Sequence, residues 1–228
     1  VDKICGPGNV LVAYAKKMVQ GQVDIDGIFG PTETIVIADK SASAEFCAAD
    51  MIAQAEHDPM ATAILITDDC NLIGEVENAL DSQLSQHDRG ELARQALLTR
   101  GKIVLVENLA EGIEIANSVA PEHLCLMVEN TAYWKTQVKN AGGLFLGEYS
   151  PEVMGDYVAG PSHVMPTGGT ARFSSALSVH HFLKTMPVVE LTSKEFGALA
   201  PDAVNIAQAE GLTAHSNALS IRLDNLSK

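Results

Sequence analysis

The sequence predicts an α/β fold: a doubly wound, mainly parallel, Rossmann-like sheet with a small, mostly helical C-terminal arm. Apolar runs of strand length alternate with helical patterns along most of the chain, the rhythm of strands joined by crossover helices. With 228 residues and 46% hydrophobic content, the chain can also bury a substantial core. No internal repeat is visible.

The elements follow in order. The chain opens on a strand-like Val1 to Cys5, then a helix over 10–19. Strands are expected over 35–38, 63–67, 103–106, 124–128 and 144–146, with helices over 44–56, 72–84, 111–118 and 133–140 between them. The stretch 82–90 reads as a polar surface connection, with His87 solvated. Ala120-Pro121 breaks the helix before the strand over 124–128. From Pro151 to Arg172 the chain is rich in Gly, Pro, Ser and Thr, which predicts a long irregular loop of the kind that tends to be functional. Beyond it a helix over 177–185, a strand-like piece over 187–191 and helices over 201–209 and 214–223 form a tail with little core of its own. The organisation expected is 1–31 as the end of a nucleotide-side α/β domain, 32–177 as the α/β domain carrying most of the site, and 178–228 as the arm.

Composition excludes several function classes. A net charge of −14 leaves too little Lys and Arg to neutralise phosphates, which argues against nucleic acid or an anionic membrane as partner. No apolar stretch is long enough to span a bilayer and no signal peptide is recognisable, so a cytoplasmic protein is expected. Cys5, Cys47, Cys70 and Cys125 lack CxxC spacing; they read as free thiols, buried at 47 and 125, rather than a disulfide or thiolate metal site. Val1 is not an initiator Met, and the chain reads as a C-terminal fragment.

The chemistry concentrates in a few segments. Gln54 and His57 stand three apart at the end of a helical run, so Gln54 Oε1 and His57 Nε2 can converge on one cation. That helix follows the strand at 34–39, placing the pair near the end of a sheet, a common location for sites. Glu122 and His123 open a strand behind a Pro-fixed turn, which holds side chains rigidly enough for acid–base work. Asp156 follows Gly155, His163 lies in a Pro-bounded loop, and Glu210 precedes His215 by five positions. By residue type alone, Asp156 is equally a turn residue, His215 a helix-start residue beside Thr213, and Pro121-Glu122-His123 a turn in solvent. Adjacent His180 and His181 point about a hundred degrees apart on a helix and are unassigned.

Taken with Cys5-Gly6-Pro7-Gly8-Asn9 and Gly30-Pro31-Thr32-Glu33, these segments come in the order in which histidinol dehydrogenases carry them, and the chain resembles that family over nearly its whole length. It departs at Gly27, Ile28 and Phe29, where Met, Pro and a small residue are usual, and at Thr34, where an aliphatic one is usual; none of these positions is expected to carry chemistry. The resemblance implies a zinc enzyme that oxidises L-histidinol to L-histidine with two NAD molecules. It implies zinc on Gln54, His57, Asp156 and His215, His123 as the base for hydride transfer and Glu122 as the activator of water. Substrate contacts carry over to Thr32, Gln54, His57, His123, Asp156, His163, Glu210 and His215, with Thr32 standing where Ser is usual. Asn9 carries over as an NAD contact. Gly6-Pro7-Gly8-Asn9 lacks the Gly-x-Gly-x-x-Gly fingerprint, and the family's other nucleotide contacts lie upstream, so the chain alone is expected to bind NAD poorly. The arm is expected to reach across a homodimer. Rival readings are a related dehydrogenase acting on another alcohol such as a sulfonated diol, a zinc-dependent hydrolase, and a non-catalytic dimerisation remnant.

Overall fold

A computed structural model describes residues 1–6 and 8–226; Pro7 of the Gly6-Pro7-Gly8-Asn9 motif lies outside the described residues. Two compact units divide at Phe182: Val1–Phe182 and Leu183–Lys228. The first begins with β1 (Lys3–Ile4), α1 (Val10–Val19) and β2 (Asp24–Ile25). It continues through β3 (Glu33–Ala38), α2 (Ala44–Ala55), β4 (Thr62–Thr67), α3 (Cys70–Leu84), α4 (Gly90–Arg100), β5 (Lys102–Leu105) and α5 (Leu109–Val119). It closes with β6 (His123–Met127), α6 (Thr131–Trp134), β7 (Gly143–Leu146) and α7 (Glu152–Tyr157). The second unit holds α8 (Ser193–Ala209) and α9 (Thr213–Leu226).

Strands β3 to β7 make one sheet in the order β5-β4-β3-β6-β7, parallel throughout. Alternation along the strands divides the core into two faces. Val36, Ala38, Ala63, Leu65, Cys125 and Met127 pack against Cys47, Ala48 and Met51 of α2 and Leu72 and Val76 of α3. Ile35, Ile37, Ile66, Leu124 and Leu126 pack against Leu109, Ile113 and Ala116 of α5 on the other face. Helices on both faces of a parallel sheet are the doubly wound α/β architecture that the sequence predicts.

Ser43 caps α2 through its Oγ, which accepts from Phe46 N at 3.4 Å, so the helix starts just after β3 ends. It then runs back along the sheet, so its last turn returns to the strands' amino ends. The turn from α5 into β6 is made by Ala120, the one non-glycine with positive φ (53°) among the described residues, directly before Pro121. A left-handed alanine costs about 1–2 kcal/mol, tolerated here where the Ala120 methyl is fully buried.

β1 and β2 form a separate parallel pair. Behind it lies a buried ion pair: Lys16 Nζ is 2.6 Å from Asp26 Oδ1, with side chains 4% and 0% exposed. Asp26 Oδ2 also accepts from Gly6 N at 2.7 Å, and the Lys16 ammonium sits 5.1 Å from the centre of the Phe29 ring. That ring explains two of the departures together. A Cβ at Gly27 would lie 2.8 Å from Phe29 Cζ, so the aromatic occupies the space a larger residue at 27 would need.

Several expected elements differ. α4 stands between the connection expected over 82–90 and the strand at 103, where the sequence predicts no element; its buried face is Ala93 and Ala96, small residues that give little apolar signal. The loop from 151 contains α7, which opens directly after Pro151, a residue that suits a helix start. The helix expected over 133–140 is α6 followed by a 3₁₀ turn that ends at Gln137. The helix over 177–185 is a 3₁₀ turn at Val179–Phe182, and 187–191 pairs with no strand, with Val188 and Val189 each 82% exposed.

The second unit is a helical hairpin. Thr192 and Glu195 form a reciprocal capping box at the start of α8, and Gly211 (φ 74°) makes the turn into α9. Only Ala200, Ala207 and Ser216 of these helices are buried, while Leu199 and Ile206 remain exposed.

Packing at the start of β6 leaves no room beside Gly142, where a Cβ would stand 2.6 Å from the Glu122 carbonyl oxygen. Gly142→Ala is therefore expected to lose about 1–3 kcal/mol of stability in denaturant titration, because backbone must move. Gly74→Ala, in α3 with nothing within 4 Å, is the control, and should be neutral or gain up to about 1 kcal/mol. Equal effects at the two positions would remove the steric argument.

Candidate active site

The parallel register pairs Thr34 of β3 with His123 of β6 at the amino ends of both strands. Side chains at this edge that point to the α2 face meet the last turn of α2. The site thus lies at the amino end of the sheet, opposite to the carboxyl-end crevice usual in open α/β sheets.

Glu122 is 8% exposed and held from one side. Its Oε2 accepts from the Thr32 hydroxyl at 2.5 Å and from Glu33 N at 3.2 Å. Burial pushes its carboxyl up to about 7, against the pull of those two donors. His123 is 4% exposed, with its ring edge-on to Phe145 at 5.7 Å. Burial lowers its imidazole to about 4, and nearby His57 adds to the effect. Nδ1 of His123 lies 3.5 Å from Glu152 Oε2 and 3.4 Å from Thr34 Oγ1, while Nε2 is buried without a hydrogen-bond partner.

Glu152, from the first turn of α7, is 2% exposed, and burial raises it to about 8, opposed by the Thr34 hydroxyl that it contacts. Burial thus drives His123 and Glu152 each toward its neutral form in the metal-free protein, so their 3.5 Å approach is not an ion pair. Gln54 is fully buried; its Oε1 stands 3.0 Å from Thr34 Oγ1 and its Nε2 is unpaired. A buried unpaired donor costs about 1–3 kcal/mol. Asp50, raised to about 6 by burial, has its Oδ2 unpaired, and so does the half-buried Glu33 at Oε2.

A family model described as histidinol dehydrogenase matches residues 1–223. The chain belongs to the histidinol dehydrogenase family. It is 47% identical over 224 residues to the histidinol dehydrogenase of Dehalococcoides mccartyi strain CBDB1, covering 98% of this chain and 51% of that protein. Against the histidinol dehydrogenase of Thermus thermophilus the identity is 51% over 222 residues, 97% of this chain and 54% of the relative. The crystal structure of histidinol dehydrogenase from Elizabethkingia anophelis superposes with a TM-score of 0.95 at 41% identity, covering 100% of this chain and 53% of that one. The chain spans about half the length of the curated relatives it matches.

Of the residues singled out from the sequence, Thr32, Gln54, Glu122 and His123 meet at the amino edge. His57, just past α2 and exposed, is close enough to influence His123, and half-buried Asp156 on α7 influences Glu122 and Glu152. His163 is exposed on the loop before Met165. Asn9 caps α1, its Oδ1 accepting from Leu11 N and Val12 N. Glu210 and His215 belong to the second unit, at the end of α8 and in the first turn of α9, both exposed. Among the described residues no three His, Cys, Asp or Glu side chains gather closely enough to hold a metal by themselves.

Thr34, where no chemistry is expected from the sequence, nevertheless sets its hydroxyl against Gln54, His123 and Glu152. Glu152 escapes sequence reasoning altogether, because a lone Glu after Pro151 carries no motif, and only α7 brings it under the sheet.

These shifts set a pH dependence. Glu122 and Glu152, raised above the ordinary 4.5, contribute stability that is present at low pH and lost as pH rises through about 7 and about 8. His123, lowered from 6.5, contributes stability present above pH 6.5 and lost as pH falls through about 4. The effects oppose each other in acid, and only the carboxyls act above pH 6.5. The metal-free protein is expected to lose about 1–2 kcal/mol between pH 6.5 and 8, and Glu152→Gln to flatten that slope. A slope unchanged by the substitution would assign it to other groups.

Proposed function

We propose that the enzyme containing this chain oxidises L-histidinol through histidinal to L-histidine, using zinc and two NAD molecules per product. The observation that carries this reading is an unpaired, buried His123 Nε2, next in sequence to the buried Glu122, at the edge of a sheet in a chain of this family. The donor chemistry fits zinc, which accepts imidazole with carboxylate or amide oxygen. Gln54 through its amide oxygen, His57 and Asp156 would hold it, with His215 as the fourth donor. When bound, zinc supplies a Lewis acid that anchors the substrate and a positive charge that favours ionised neighbouring carboxylates, and NAD accepts hydride.

This chain's own residues handle the protons. In the first oxidation the alcohol carbon loses hydride while its hydroxyl proton passes to His123 Nε2, which is neutral at pH 7 and free to accept it. The resulting imidazolium places its Nδ1–H against Glu152, which stabilises it. Water must then add to the aldehyde carbonyl. Glu122, half-ionised near pH 7, takes the proton of that water, with Thr32 and Glu33 N–H fixing its carboxylate. Meanwhile the proton held on His123 Nε2 passes to the carbonyl oxygen, which completes the hydrate and frees His123 to act again. Loss of a second hydride from carbon and of the hydrate's proton to His123 gives the carboxylic acid.

His163 and Glu210 are assigned to substrate contacts together with Thr32, Gln54, His57, His123, Asp156 and His215, Glu210 as charge partner of the ammonium. Asn9 is assigned to NAD. A cytoplasmic homodimer with a shared site is the assembly proposed, and the apolar Val188, Val189, Leu199 and Ile206 left exposed in the second unit support it.

The test uses the full-length polypeptide encoded with this chain, supplied with zinc, NAD and L-histidinol. About two NADH should form per histidine; none from a folded, zinc-loaded protein would redirect the assignment to another alcohol. His123→Asn should lose about 10²–10⁴-fold in turnover while retaining zinc, and zinc loss with unchanged folding would make it a ligand instead. Glu122→Gln should slow oxidation of histidinal more than that of histidinol, and equal slowing would deny it the water step.

A further inference from the structure

Three side chains compete for one hydroxyl at the edge of β3. Thr34 Oγ1 reaches Gln54 Oε1 at 3.0 Å, His123 Nδ1 at 3.4 Å and, closest of all, Glu152 Oε2. A hydroxyl has a single proton and donates once. In the zinc-loaded protein, where the metal's charge would favour an ionised Glu152, the shortest contact takes that proton, since a carboxylate can only accept. The contact with Gln54 then needs a donor on the glutamine side. An oxygen there faces lone pairs, while the Nε2 donor lies buried and unpaired on the other side of the same amide. Turning the amide over exchanges the two atoms at no other cost in position. Nε2 then donates to Thr34, and Oε1 takes the unpaired place.

That exchange decides whether Gln54 can hold a cation. An amide oxygen ligates a cation, whereas an NH₂ group pointed at it repels it. The same Glu152 oxygen that takes the Thr34 proton lies against His123 Nδ1. A proton on Nδ1 shared with that oxygen leaves the lone pair on Nε2, the unpaired nitrogen. The geometry points to Thr34 as a positioning residue: its hydroxyl links Gln54, Glu152 and His123 so that an amide oxygen and a basic nitrogen both face the site.

The inference rests on the reading of Gln54 as a zinc ligand. It concerns a position where the family usually has an aliphatic side chain, so the orientation of this ligand depends here on a polar relay. Thr34 is fully buried, so its hydroxyl has no access to water as an alternative partner.

Thr34→Val keeps the shape and removes the hydroxyl; Thr34→Ser keeps the hydroxyl and removes a methyl. Zinc affinity of the full-length protein is measured by competition with a chelator, beside a pH profile of kcat and a thermal midpoint. Thr34→Val should weaken zinc about tenfold or more and shift the acidic limb of the kcat profile, and Thr34→Ser should restore both to near wild type. Wild-type affinity and an unshifted profile in Thr34→Val would overturn the proposal, as would equal weakening in both variants, which would reduce Thr34 to packing. If Thr34→Val unfolds, Thr34→Ser against Thr34→Ala decides, since restoration by Ser alone keeps the relay and loss in both removes it. A wild-type protein that binds no zinc would sink the zinc reading itself, an outcome distinct from a zinc-binding wild type matched by Thr34→Val.

Discussion

The pairing of β3 with β6 puts Thr34 beside His123, and the arrangement at the sheet's amino edge depends on that register. A slip of β6 by one residue against β3 would turn His123 toward the face covered by α5 and bring Leu124 to the α2 side, away from Thr34. Because β3 and β6 are buried on both faces by large apolar residues, such a slip would also misfit two cores. Packing energy far from the site therefore fixes the site's geometry. The adjacent Glu33 and Glu122 follow from the same register, which lets the Glu33 N–H reach the Glu122 carboxylate.

The helices complete what the strands begin. Since α2 starts beyond the carboxyl end of β3 and returns along the sheet, its last turn delivers Gln54 to the amino edge, with His57 just after it. α7 brings Glu152 and Asp156 from a segment far along the chain. Carboxyls so placed are costly. Glu122 and Glu152 are both raised by burial, and each has only partial compensation from hydroxyl or amide donors. Ala120 adds backbone strain at the turn into β6. A core built for stability alone would hold apolar side chains here. Raised carboxyls and an unpaired imidazole nitrogen make sense where protons must move near neutral pH.

Large periodic signals were legible in the sequence: five sheet strands, α1, α2, α3 and α5 all stand where apolar runs and helical spacing predict them, with bounds shifted by a residue or two. α4 was not legible because its buried face consists of alanines, and α7 was not because Gly, Pro and Ser around it mask six helical residues. Pro187 to Leu191 misled in the other direction, since apolar β-branched residues signal a strand only where a neighbour exists to pair with. Within the site, Glu122, His123, Gln54 and His57 were legible as local motifs and as matches to a family.

The sequence by itself determined the fold class, the family and the residue types proposed for proton transfer and metal binding, because periodicity and short motifs are local properties. Tertiary structure alone decided that the site sits at the amino edge, that Glu152 stands behind His123, and that Thr34 joins them to Gln54. Those relations link positions 34, 54, 123 and 152, far apart along the chain, and hydrogen bonds between distant residues leave no periodic trace. The protonation of the carboxyls was likewise decided by structure, because desolvation depends on what surrounds a group and not on its neighbours in sequence.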